Sequence, residues 1–269
     1  MKLARRILIT IACTIAAIFL VARFVGPIAL SFYAAHKALP VARIVPTELQ
    51  DHSISQARGM QLSYVGYEFE IPWDDLDESK TQLYPKEKPT KTRAVLAFPS
   101  GLCLMVTVIP PREMANGLTT GDLGLGKIPL QAVDLLFGSG AAASDYSFVN
   151  NVYEFTPDKM HHWSLSDRLH YRETILLTVK SVMPSASAES GIFRVQNGDY
   201  KGFQQGNPAK HPRSVVITLY SEDGGIEFIL LGDLSKPTFV TQPEINRILQ
   251  TLHKAAPSDS SKPLTAASN

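Results

Sequence analysis

Apolar and polar residues alternate through SYVGYEFEIPW (63–73). Val65, Tyr67, Phe69 and Ile71 fall on one side, with Gly66, Glu68 and Glu70 on the other. This period of two marks a half-buried strand, and Pro72 ends it because proline has no N–H to give to a ladder. The polar stretch DDLDESK that follows reads as an exit from the sheet. AVLAFPSG (94–101) and LCLMVTVI (102–109) are two further strands around a Pro99-Ser100-Gly101 turn. The second is apolar on both faces, which places it inside the sheet. In the C-terminal third, IFRVQNGDYKGFQQG (192–206) contains Asn197-Gly198, a strong hairpin signal. SVVITLYS (214–221) and IEFILLG (226–232) then flank the turn Glu222-Asp223-Gly224-Gly225. Successive strands joined by short turns pair antiparallel.

Elsewhere the period is helical. TQPEINRILQTLHK (241–254) offers Thr241 as a cap, Pro243 in the first turn, and a stripe of Ile245, Ile248, Leu249 and Leu252. SLSDRLHYRETILLTVKSVM (164–183) repeats Leu165, Leu169, Leu176, Val179 and Met183 at helical spacing, with Ser164 or Ser166 as cap. IPLQAVDLLFG (128–138) is a shorter helix that Gly138 can stop. The expected fold is α+β: an antiparallel meander flanked by helices, with an N-terminal transmembrane helix. The folded domain covers 62–254 and carries an insertion at about 112–160.

The transmembrane helix rests on the first residues. MKLARR precedes ILITIACTIAAIFLVA (7–22), which has no charge, and apolar character resumes after Arg23. A bilayer core of about 30 Å needs roughly 20 apolar residues as a helix. Phe24 and Val25 bring the run close to that length if Arg23 snorkels to the head groups. No small-x-small cleavage site follows residue 22, where the chain reads RFVGPIAL, and Cys13 lies mid-run, so an uncleaved anchor over 1–35 is favoured over a signal peptide or a lipoprotein anchor. Lys2, Arg5 and Arg6 favour a cytoplasmic N-terminus with the domain on the far side, periplasm-like, although Arg23, Lys37 and Arg43 dilute that bias. Residues 36–61 read as a stalk, and 255–269, small, polar and proline-containing, as a disordered tail.

Composition narrows the function classes. With 269 residues and 45% hydrophobic residues, the chain can build one good-sized core. A net charge of +1 with scattered basic residues argues against nucleic-acid binding, which needs a basic face. Cys13 and Cys103 are the two cysteines, one in the apolar N-terminal run and one in a strand, so no intrachain disulfide is expected.

GDLGLGKI (121–128) nearly matches a phosphate loop through Gly121, Gly126 and Lys127, but Ile128 stands where the Mg²⁺-binding hydroxyl belongs. It also lacks a strand running into it, so it reads as a flexible loop. His161, His162 and His170 are the metal-ligand candidates. His162 and His170 are two helical turns apart, without the i, i+4 spacing a zinc site favours, and a solvated helix start is the simpler reading. Asp74, Asp75, Asp77 and Glu78 share one wet loop, so their pKa values have little reason to separate into acid and base. Cys103 is expected to be an inert core thiol, GSGAAAS (138–144) a small-residue loop, and Trp73, Trp163, Tyr67 and Tyr171 core or rim aromatics. No catalytic residue and no cofactor is expected. The insertion, glycine-rich and partly apolar, is a natural place for a binding surface.

The order of elements, with GYEFEIPW after a membrane segment, a helix before a meander, and a last helix containing INRILQTL, resembles the PsbP-like α/β/α sandwich superfamily over roughly 63–111 and 164–254. That superfamily includes small lipoproteins and photosystem assembly factors. The resemblance implies a non-catalytic binding or assembly module and carries no residue role across; the 112–160 region departs from it. The leading expectation is therefore a single-pass, extracytoplasmic domain that contacts the bilayer through its N-terminal helix and binds a protein partner or assists envelope assembly. A hydrolase or metal-dependent enzyme with a site near 112–170 is the first alternative, and a small-ligand-binding domain with an apolar pocket the second. If the anchor is correct, the full-length chain stays with membranes through an alkaline wash. The double substitution Ile15→Lys with Ile18→Lys releases it, because each cation at a helix centre costs about 3 kcal/mol on insertion scales.

Overall fold

The fold was taken from a computed structural model that describes residues 40–84, 93–120, 144–159, 179–180, 183, 186–210, 213–233, 240–255 and 265–266. The chain forms two compact units, one of 44–154 with 184–269 and one of 1–43 with 155–183. In the second unit the described parts are a 3₁₀ turn at Pro40–Arg43, another at Pro157–Lys159, and helical Val179 and Lys180. Lys180 is fully buried, and its Nζ donates to the Phe155 carbonyl at 2.7 Å.

The first unit is α+β. Its main sheet has eight strands in the order β1-β7-β8-β9-β10-β6-β5-β4. In chain order these are β1 (Thr47–Glu48), β4 (Gln82–Tyr84), β5 (Arg93–Ala97), β6 (Leu102–Ile109), β7 (Ile192–Asn197), β8 (Tyr200–Gln205), β9 (Ser214–Ser221) and β10 (Gly224–Gly232). A second sheet, β11-β3-β2-β12, is built on the hairpin of β2 (Met60–Tyr64) and β3 (Tyr67–Ile71), flanked by β11 (His253–Lys254) and β12 (Thr265–Ala266). The helices are α1 (Glu113–Thr120), α2 (Asp145–Glu154) and α3 (Gln242–Thr251).

Register explains the layers. On one face of the main sheet, Leu96, Leu104, Leu230 and Val215 stand in one cross-strand row, and Ala94, Val106, Phe228 and Ile217 in the next. This face buries the hairpin's Tyr67, Phe69 and Ile71 and the α3 stripe Ile245, Ile248, Leu249 and Leu252 in a single cluster. Phe69 meets Phe228 edge-to-face at 5.0 Å, and burying each such ring stabilises the fold by about 1.5–3 kcal/mol. On the opposite face, Phe203 stacks on Tyr146 and meets Tyr153 edge-on, both from α2. β9 is buried on both faces and so reads as a continuous apolar run, whereas β6, equally apolar in sequence, buries mainly alternate residues and leaves the others partly covered.

Several expectations are corrected. The alternating stretch 63–73 is not one strand: the chain reverses at Val65-Gly66, whose φ values of 48° and 79° make a two-residue turn between β2 and β3. Tyr67, Phe69 and Ile71 are buried as the pattern requires, but Val65 is exposed at the tip. The sheet is not wholly antiparallel, because β1 joins β7 parallel. That edge is held by Arg194, which donates to the Pro46 carbonyl at 3.1 Å, Glu48 Oε1 at 3.2 Å and Glu154 Oε1. The stretch read as a stalk (36–61) supplies β1 and the start of β2, and its 51–57 segment lies along α3. There Asn246 Nδ2 donates to the carbonyls of Asp51 (2.8 Å) and Ser53 (2.7 Å), and Arg247 to that of Ala57. In the tail expected to be disordered, Thr265 and Ala266 pair with Ser63 and Leu62. The insertion contains α1 and α2, and α2 buries Phe148, Val149, Val152 and Tyr153 at helical spacing within a stretch for which no helix was expected.

The interior position of β6, the hairpins at 197–198 and 222–225, and the final helix follow expectation. In α3, Glu244 accepts from the N–H and the hydroxyl of Thr241, both at 2.8 Å, as a capping box. The anchor (1–35), the helix at 128–138 and nearly all of that at 164–183 lie outside the described residues. Among the described residues no helix is long and apolar enough to cross a membrane.

Val65 is a β-branched residue in the left-handed region, which disfavours it by about 1–2 kcal/mol. Val65→Asn creates an Asn-Gly turn and should raise unfolding stability by about 1 kcal/mol in urea titrations, whereas Gly66→Ala should lower it by about the same amount.

Candidate functional site

The helix α3 organises the surface on which the recognisable concavities lie. At its N-terminal end Gln242 and the fully buried Gln204 of β8 exchange amide hydrogen bonds at 2.8 and 2.9 Å. Gln242 also donates to Asn246 Oδ1 at 2.9 Å, and Gln204 to the Gly206 carbonyl at 3.1 Å. Each amide is thereby satisfied on both sides, a condition for polar groups to sit in a core without destabilising it.

This network underlies an open cleft of about 670 Å³. Its walls come from four separate parts of the chain: Leu49 after β1, Phe193 of β7, Pro208 in the β8–β9 connection, and Val240 and Pro243 at the start of α3. Among the described residues that line it, Asp51 is the only charged one. The Asp51 carboxylate accepts from the Ser53 hydroxyl at 2.5 Å and the Ser53 N–H at 2.9 Å, and these bonds hold its pKa below the ordinary 3.8. The cleft thus offers an apolar floor with one fixed negative charge on its rim. A second, polar cleft lies at the other end of α3.

The main sheet's α2 face holds a different cluster. Tyr153 and Tyr220 are 2% and 5% exposed, Asp145 is 7% exposed, and Gln205 Nε2 donates to the Tyr153 hydroxyl at 3.0 Å. Burial, followed by the neighbouring Tyr153, Asp145 and Glu227, raises the pKa of Tyr220 well above 10.0, and burial likewise raises that of Tyr153. None of these residues was singled out by sequence, since tyrosines in apolar runs look like ordinary core.

The sequence candidates fare unevenly. His161, His162 and His170, and the 121–128 loop, lie outside the described residues. Among the described residues no three His, Cys, Asp or Glu side chains gather to hold a metal ion. The acidic run is engaged in its own turn. Asp77 accepts from the Ser79 hydroxyl and N–H, at 2.5 and 3.1 Å, and pairs with Lys80, and Asp75 accepts from the Ser100 N–H at 3.2 Å. Cys103 is a free thiol on β6, pushed up in pKa by burial, as an inert thiol should be. Trp73 is a half-buried rim aromatic, packed on Phe98 at 5.6 Å with its Nε1 donating to Glu244 at 3.1 Å.

No protein-family model matches the chain, no curated protein matches it, and no solved structure matches it.

The buried tyrosines set an alkaline limit. Their folded-state pKa values lie above those of the unfolded chain, so their contribution is complete below pH 10.0 and is lost as pH rises through the raised values. Urea titrations between about pH 9 and 12 should show stability falling above pH 10, and Tyr220→Phe should make that fall shallower.

Proposed function

We propose that this protein is a membrane-tethered, non-catalytic binding domain, whose apolar cleft beside the N-terminus of α3 receives an extended segment of a partner protein. The cleft carries this reading. Leu49, Phe193, Pro208, Val240 and Pro243 give it apolar walls, it is open to solvent, and Asp51 adds one carboxylate to its lining. A segment with apolar side chains next to a basic residue is the chemistry that complements it. Small-ligand sites bury most of their ligand, so an open cleft favours a peptide over a small apolar molecule. The tether is read from the apolar run at 7–25, and the side of the membrane from Lys2, Arg5 and Arg6. The element order that resembles the PsbP-like superfamily points to the same class of activity.

Rim charges act mainly on association rate and salt dependence. A photoreactive residue in place of Ala209, in the full-length chain within its membrane, should therefore cross-link to a protein. Asp51→Lys should reduce that cross-link about three- to tenfold at low salt and less at high salt. Cross-linking to lipid alone, or a cross-link indifferent to Asp51→Lys at every salt concentration, would overturn the proposal.

A further inference from the structure

One wall of the apolar cleft is made by the chain on its way into the domain. Leu49, Gln50 and Asp51 line the cleft, and they follow β1 directly at the head of the stretch that lies along α3. That wall is held lightly. From Gln50 to Arg58 every residue except Ser55 is exposed, Ile54 by 41%. Leu49 is the one apolar side chain of the stretch that packs on the core. β1 ahead of it is two residues long, both exposed, and joins β7 through those two alone.

Hydrogen bonds from α3 hold the stretch in place. Asn246 Nδ2 donates to the carbonyls of Asp51 and Ser53, Arg247 donates to that of Ala57, and the Ser55 N–H donates to the Pro243 carbonyl at 3.0 Å. The donors are aimed from behind. Gln242 donates to Asn246 Oδ1 at 2.9 Å, which turns Nδ2 toward the stretch, and Glu70 accepts from Arg247 Nε at 3.0 Å. Because Gln242 is also joined to the buried Gln204, a row of amides runs from the core to this wall.

Water can replace each of these bonds at an exposed carbonyl, so their net hold is small, whereas nothing replaces the burial of the apolar core. A segment with few buried apolar contacts and exposed hydrogen bonds opens at far lower cost than the body it lies on. Its far end is a firm stop. Gly59 sits so close to β3 that a Cβ there would stand 2.0 Å from the Ile71 carbonyl, so the peptide after Arg58 is shielded against the sheet while the stretch is docked.

We infer that residues 47–57 are a releasable strap that governs the apolar cleft. Docked on α3, the strap supplies the wall of Leu49, Gln50 and Asp51. Released, it carries that wall and its carboxylate away from Phe193, Pro208, Val240 and Pro243, which remain on the body. The coupling is reciprocal: an occupant of the cleft holds the strap down, and whatever frees the strap weakens the occupant's hold. This regulation rests on the reading of the cleft as a binding site.

Trypsin reads the strap, and the photoreactive residue at Ala209 reads the cleft. The Arg58 side chain is 87% exposed, but cleavage after it requires the flanking chain to lift from α3 and β3. The single-hit rate at Arg58 therefore follows the released fraction. In full-length protein in detergent, Asn246→Ala and Arg247→Ala should each raise that rate about three- to tenfold. Lys254→Ala, which breaks a bond to Asp223 beyond the other end of α3, should leave it unchanged. Phe228→Leu should lower the melting temperature without changing the Arg58 rate, because it weakens the core and not the strap. Melting curves verify that each variant folds, and Arg247→Ala, a change nearer the surface, carries the test if Asn246→Ala does not. In the membrane-bound full-length chain, both strap variants should reduce the Ala209 cross-link about three- to tenfold at every salt concentration, unlike the salt-dependent effect of Asp51→Lys. Release of the strap is overturned if both variants leave the Arg58 rate unchanged, or if Phe228→Leu raises it in step with lost stability, since opening would then be global. Control of the cleft is overturned if the variants loosen the strap while the cross-link persists undiminished, a result that leaves the binding reading standing. Absence of any protein cross-link in the parent removes the binding reading and the regulation with it, while the Arg58 rates still decide whether the strap releases.

Discussion

The seating of α3 governs the rest of this structure. Its apolar stripe closes the core shared by the hairpin and the main sheet, and its polar positions reach outward in three directions. Asn246 and Arg247 hold the chain that enters the domain, Gln242 joins the interior of β8, and the carbonyls at the helix's end receive Asn197 from β7. One ten-residue helix, about 15 Å long, therefore fixes both the depth of the core and the position of the surface around it. The apolar and the polar cleft lie at its two ends.

Much of this was legible in the sequence, for a definite reason. Strands β5 to β10 and α3 are marked by local signals, apolar runs for β6 and β9, turn residues between neighbouring strands, and helical spacing for α3, so the sequence reports them faithfully. The Val65-Gly66 turn escaped because a β-branched residue stands at a position that favours glycine or asparagine, and alternation resumed in phase on its far side. β1 escaped because two residues show no period, and its place depends on Arg194, distant in sequence. The 51–57 segment is held through its backbone carbonyls, which leave no trace in side-chain composition.

The clefts were illegible for a related reason. The apolar one brings together Leu49, Phe193, Pro208 and Pro243, and no spacing rule connects them. Tyr67 and Tyr200 pack ring against ring, and the Tyr67 hydroxyl donates to the Gly225 carbonyl. In sequence the two tyrosines are alike, each an apolar residue next to a turn. By contrast the acidic run 74–78, conspicuous in sequence, orders its own loop through Asp77 and ties it to the β5–β6 turn through Asp75.

The short pairing of Thr265 and Ala266 with β2 has a consequence for how copies of this protein behave toward one another. The outer side of β2 is a row of peptide groups that any extended chain can complete, and such rims are where β proteins stick together. Here Thr265 and Ala266 of the same chain cover part of that rim. Without that pair the border of β2 would lie open, a place where a second copy could add a strand of its own.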